Sequence, residues 1–165
     1  MESENNGGEL HLAMFPFFAF GHISPFVQLS NKLSSHAGVR ISFFTAAGNI
    51  NRIKSMLNLT TTVQIIPLTL PTVTGLPPDI ESTADTDPAT SELLKVALDL
   101  MQPQIKTLLS QLNPDFVLFD FAHGWLPPLA SQLGIKTILF SVFTAITTSF
   151  GIVPARLPDG KVGIL

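Results

Sequence analysis

The sequence predicts an α/β domain built on a doubly wound parallel sheet, and three observations carry that reading. Short apolar runs recur through the 165 residues, each followed by a segment of helical spacing. The runs are near-continuously apolar, as strands covered on both faces must be. A charge, Asp120, stands at the carboxyl end of one run, where ligand sites of such sheets lie.

In chain order, Met1–Glu9 is polar and is read as a disordered tail, with one domain from 10 to 165. Leu10, Leu12 to Phe15 and Phe17 form the first strand. Ser24-Pro25 then offers an N-cap hydroxyl and a proline at the first helical position, so a helix is expected from about Pro25 to Ser35, stopping near Gly38. Val39 to Thr45 is a second strand, Asn49 to Leu57 a short helix, and Val63 to Leu68 a third strand.

Thr69 to Asp87 contains three prolines and one glycine without periodicity, and reads as a long surface loop, either a substrate-facing segment or a linker. Asp87-Pro88 repeats the cap signal. An apolar stripe from Leu93 to Leu112 predicts a long helix over about 89–112, kinked at Pro103, which lacks a backbone donor. Asp115 to Phe121 is a fourth strand, Trp125 to Leu133 a short helix, Lys136 to Val142 a fifth strand, and Thr144 to about Gly151 a last helical stretch.

Composition excludes several classes. A net charge of -3 with scattered Lys and Arg gives no basic stripe, so no nucleic-acid partner is expected. The chain has no cysteine, which removes disulfides and thiolate chemistry and fits a cytoplasmic location. Thr137 to Ala155 is uncharged over 19 residues, but six are Ser or Thr, so strand followed by helix is preferred to a membrane span and no stable membrane insertion is expected.

In a sheet of order 3-2-1-4-5, the first and fourth strands are neighbours and the order reverses between them. His22 follows the first strand and Asp120 ends the fourth, so the two meet in space. A carboxylate that holds one imidazole nitrogen leaves the other free to take a proton, as a general base does. The competing structural reading is that His22 caps a turn and Asp120 caps the following helix. His123 is a rival base, whereas His11 and His36 read as structural or solvated. Phe15 and Phe17 read as core, and Phe18 and Phe20, on the turn, as lining of a hydrophobic acceptor pocket. No GxSxG, GxGxxG, Walker or HExxH motif is present.

MFPFFAFGHISPFVQLSNKL, VRISFFTA with GNINRI, and PDFVLFDFAHGWLPPLASQLGIKTILF together resemble the N-terminal half of plant UDP-sugar-dependent glycosyltransferases. The similarity is greatest to the branch that extends flavonoid or terpenoid glycosides. The resemblance implies a Rossmann-like, acceptor-binding half of a two-domain GT-B enzyme. It implies His22 as the base and Asp120 as its orienting partner, with Phe18, Phe20, Gly21, Phe121 and His123 on the acceptor side and Ser141, Phe143 and Thr144, on the loop after the fifth strand, toward the donor. The implied reaction is inverting transfer from a UDP-sugar, a co-substrate, to a hydroxyl of a small-molecule acceptor, with no cofactor and no metal. The family's uridine-gripping motif is not among these 165 residues. The chain alone is therefore expected to be inactive, and a UDP-sugar to bind only together with a C-terminal domain. Apart from the resemblance, a non-catalytic binding module and a hydrolase-type domain remain alternatives.

Overall fold

The computed structural model describes residues 8–77, 80–83 and 86–152. Residues 1–7 of the expected tail and residues 153–165 lie outside the described residues. Glu9, expected in the tail, pairs with Arg40 at 3.0 Å.

Five parallel strands form one sheet in the order β3-β2-β1-β4-β5. They are β1 (Leu10–Phe15), β2 (Val39–Ala46), β3 (Val63–Leu68), β4 (Phe116–Phe119) and β5 (Lys136–Leu139). Phe15 of β1 stands opposite Phe119 of β4, and Phe119 opposite Leu139 of β5, so three strand ends share one edge. The order reverses between β1 and β4, as the sequence predicts, and in such sheets ligands bind at that switch point.

Alternation along the strands splits the core into two layers. Ala13, Phe15, Phe44, Ala46, Val117 and Phe119 point to one face, where α3 (Pro88–Leu100), α4 (Gln102–Leu112) and α5 (Leu126–Gln132) supply Leu94, Leu98, Ile105, Leu109 and Leu126. Leu12, Met14, Ile41, Phe43 and Leu118 point to the other, covered by Ile23, Phe26 and Val27 of α1 (Phe20–Ser34) and Ile53 of α2 (Ile50–Lys54). Phe15, Phe18, Phe26, Phe43 and Phe44 are fully buried. Each such side chain stabilises the fold by roughly 1.5–3 kcal/mol relative to exposure.

Two helices depart from expectation. α1 begins at Phe20, five residues before Pro25, and carries that proline inside it. The proline removes one bond to the Gly21 carbonyl, and Gly21 is exposed, so solvent reaches the residue that loses its partner. The expected long helix over 89–112 is two helices, broken at Met101 rather than kinked. Met101 N donates to Leu98 O and Ile105 N to Met101 O, so the Pro103 turn restarts the ladder instead of bending it. Asp87 caps α3 as expected, its carboxylate accepting from Thr90 N at 2.7 Å.

The uncharged stretch resolves into β5 and α6 (Ala145–Ile152). Among the described residues no helix is long and apolar enough to cross a membrane.

Candidate active site

Placing His22 in the first turn of α1 fixes its backbone, because His22 N and Ile23 N both donate to Ala19 O, at 2.8 and 2.9 Å. Its Nδ1 then lies 2.7 Å from Oδ2 of Asp120, just past β4. The carboxylate is fully buried and the His22 side chain retains 16% exposure. Asp120 also accepts from Phe17 N at 3.3 Å on Oδ2 and from Phe121 N at 2.8 Å on Oδ1. A carboxylate ringed by donors accepts only, so Nδ1 is the donor in this pair and Nε2 is left as the acceptor nitrogen.

This geometry excludes the capping alternative for both residues. The His22 side chain bonds across the sheet, and α5 starts at Trp125 without a side-chain cap.

Three phenylalanine rings surround the imidazole, Phe17 at 5.5 Å, Phe121 at 5.3 Å and Phe143 at 5.5 Å between centroids. They make an apolar setting for the hydrogen bond to the buried carboxylate, in which such a bond is stronger than in water. The arrangement suits removal of a proton from a hydroxyl: Nε2 takes it, and Asp120 balances the imidazolium.

No family profile matches the chain. An anthocyanidin-3-O-glucoside rhamnosyltransferase from Petunia hybrida is 64% identical over 160 residues, which is 97% of this chain and 34% of that protein. UDP-glycosyltransferase 79A2 from Stevia rebaudiana is 64% identical over 146 residues, 88% of this chain and 32% of the relative. Over nearly its whole length the chain is similar to plant UDP-glycosyltransferases. It spans about a third of the length of these relatives. The crystal structure of Arabidopsis thaliana UGT89C1 complexed with UDP-L-rhamnose superposes with a TM-score of 0.80 at 20% identity, over 93% of this chain and 40% of that one, and shows the GT-B type fold.

The remaining candidate site residues fall into two groups. Gly21 is exposed beside His22, Phe121 touches the imidazole, and Ser141 and Thr144 are exposed on the segment after β5. Thr144 accepts from Thr147 N at 3.2 Å and so caps α6. Phe18 and His123, by contrast, are both fully buried. Phe18 packs edge-on against Phe15 at 6.2 Å and belongs to the core, so it offers no wall to an acceptor. One face of the Phe20 ring is covered by the Arg52 guanidinium, 3.4 Å from its centroid.

His123 is neither a rival base nor an acceptor contact. It stacks on Phe15 at 4.0 Å, and its Nε2 donates to Pro16 O at 3.3 Å. Burial pushes its pKa down to about 4, only partly offset by the Pro16 carbonyl and Asp120. His11 is structural as expected, buried with its Nε2 2.8 Å from Ser42 Oγ, and burial together with Arg40 lowers its pKa.

Described residues of the Thr69 to Asp87 loop are hydrogen-bonded to the turn after β1 and to the segment after β2. Thr83 N donates to Phe18 O at 2.9 Å, Asn49 Nδ2 to Glu81 O at 2.9 Å, and Gly48 N to the Glu81 carboxylate. Leu70, Pro71, Val73, Leu76 and Ile80 of this loop line a cavity of about 240 Å³. A larger one, about 410 Å³, lies between α4 and α5 and shares no residue with the His22 cluster.

Sequence reasoning missed Phe17, assigned to the core alone, although its ring and its amide both serve the site. The signal lay in its position two residues past β1, on the side where Asp120 ends β4.

Proposed function

We propose that this chain is the acceptor-binding, base-carrying half of an inverting UDP-sugar-dependent glycosyltransferase that acts on a hydroxyl of a small plant metabolite or its glycoside. The observation that carries the reading is the 2.7 Å contact between His22 Nδ1 and Asp120 Oδ2, which frees Nε2 at the mouth of the sheet's switch point. The name of the Petunia relative supports a flavonoid glycoside as acceptor class.

In this reading the acceptor hydroxyl lies against Nε2 of His22 and gives up its proton there. The oxygen attacks the anomeric carbon from the face opposite the diphosphate. The new carbon–oxygen bond forms as the bond to the phosphate oxygen breaks, and UDP leaves with that electron pair. Configuration inverts, since a single displacement occurs and no sugar is held covalently. Asp120 fixes the tautomer and balances the imidazolium. The 69–87 loop, tied to Phe18 and Gly48, borders the acceptor, and Ser141 and Thr144 face the donor. The uridine and diphosphate are held by a C-terminal domain, so residues 10–165 by themselves do not turn over.

In a protein of the relatives' full length carrying this sequence, His22→Ala is expected to abolish transfer while acceptor binding persists. A near-normal rate in that variant would overturn the base assignment. The hydrolase alternative has no support among the similar proteins, which are glycosyltransferases.

A further inference from the structure

The rings around His22 come from three separate strand ends. Phe17 follows β1, Phe121 follows β4 and Phe143 follows β5, and these strands are consecutive in the sheet. Phe121 touches Phe17 at 5.6 Å and Phe143 at 5.2 Å, so the three form a continuous wall with the imidazole against each member. Phe17 is almost fully buried and its amide binds Asp120, as does that of Phe121. Phe143 is different: it is 36% exposed, and its ring meets the rings of His22 and Phe121. Phe140 anchors its segment, with its N donating to Phe119 O at 2.9 Å and its ring 4.9 Å from Phe26.

We propose that Phe143 is a positioning residue for His22: its ring, set at 79° to the imidazole, holds the rotamer that keeps Nδ1 on Asp120 and closes that hydrogen bond to water. The inference deepens the acceptor-base reading and rests on it for its catalytic meaning, whereas the contact itself stands on geometry. A hydrogen bond at one nitrogen leaves the far side of an imidazole free to swing. An edge-to-face ring contact biases such a rotamer choice by up to about tenfold. Phe17 and Phe121 cannot be tested cleanly, because replacing either also disturbs the backbone that holds the carboxylate. Phe143 meets the imidazole through its ring, and the hydrogen bonds to the Asp120 carboxylate come from Phe17, His22 and Phe121.

The test uses the 165-residue chain with nitrogen-15 in its histidine rings. In the unaltered protein the His22 Nδ1 proton is expected to exchange slowly with water, and the ring to be a single Nδ1–H tautomer. Phe143→Ala should speed that exchange several-fold, up to about tenfold, and mix the tautomers. Phe143→Tyr should restore both signatures and Phe143→Leu, which has bulk without a ring, should not. The amide spectrum checks folding of each variant, and Leu carries the comparison if Ala disturbs the fold. Unchanged exchange and tautomer in Phe143→Ala and Phe143→Leu would overturn the proposal. In the full-length enzyme Phe143→Ala should lower kcat more than it raises KM and alter the pH–rate profile, with rescue by Tyr. Full activity in His22→Ala would remove the base reading, yet the exchange measurement would still decide whether Phe143 holds the ring.

Discussion

Oδ2 of Asp120 receives the Nδ1 hydrogen bond of His22 across 98 positions of sequence, and the same carboxylate receives the amides of Phe17 and Phe121. One buried anion therefore ties the loop after β1 to the loop after β4.

Asp120→Ala leaves three donors without an acceptor, the buried amide of Phe17 and the part-buried amide of Phe121 and ring of His22. Unsatisfied buried donors cost roughly 1–3 kcal/mol each, part of which relaxation recovers. A loss of about 2–4 kcal/mol in urea unfolding is expected. Stability unchanged within about 0.5 kcal/mol would mean that the carboxylate does not organise the two loops.

His123 predicts an acid-sensitive fold. Its folded pKa is depressed to about 4 from an ordinary 6.5, so the native state binds its proton more weakly than the unfolded chain does. The stabilisation is fully present above about pH 6.5 and is lost as pH falls toward 4. At most roughly 3 kcal/mol is lost across that window from this residue. His123→Phe should flatten the decline, measured as unfolding midpoint against pH. A decline of the same depth in that variant would contradict the assignment.

Two glycine-to-alanine changes should act with opposite sign. Gly21 lies in the first turn of α1 with open space where a Cβ would sit, so Gly21→Ala should stabilise by about 0.5–1 kcal/mol. Gly134 ends α5 at φ 73° and also has open space, so Gly134→Ala meets only backbone strain and should destabilise by about 1 kcal/mol. Thermal unfolding of the two variants checks both, and a destabilised Gly21→Ala would contradict the helix start at Phe20.

Much of this was legible from residue pattern. The ends of β3 are legible because Val63–Leu68 is an apolar run set between polar threonines, and the strand order follows from alternation with helices. His22 and Asp120 were paired because a charge at a strand end is conspicuous. The start of α1 was not legible, since Ser24-Pro25 is a stronger local cap signal than Ala19 and only tertiary contacts favour the earlier turn. Those contacts are Thr83 on the Phe18 carbonyl and Arg52 on the Phe20 ring. Phe18 and His123 were misplaced because a turn has no period from which to read an inside. The ring wall needs three loops to meet, which no single segment encodes.

On binding, the 165-residue chain is expected to show no UDP-sugar affinity by calorimetry, because the proposed uridine site belongs to a C-terminal domain. Micromolar binding by this chain would contradict the division of labour between the halves.

The central claim is that Nε2 of His22 takes the acceptor's proton, and sugar transfer by His22→Ala in a full-length enzyme tests it most directly. The account predicts a fall of about a hundredfold or more in kcat with acceptor affinity retained. A rate within a few-fold of the unaltered enzyme would contradict it.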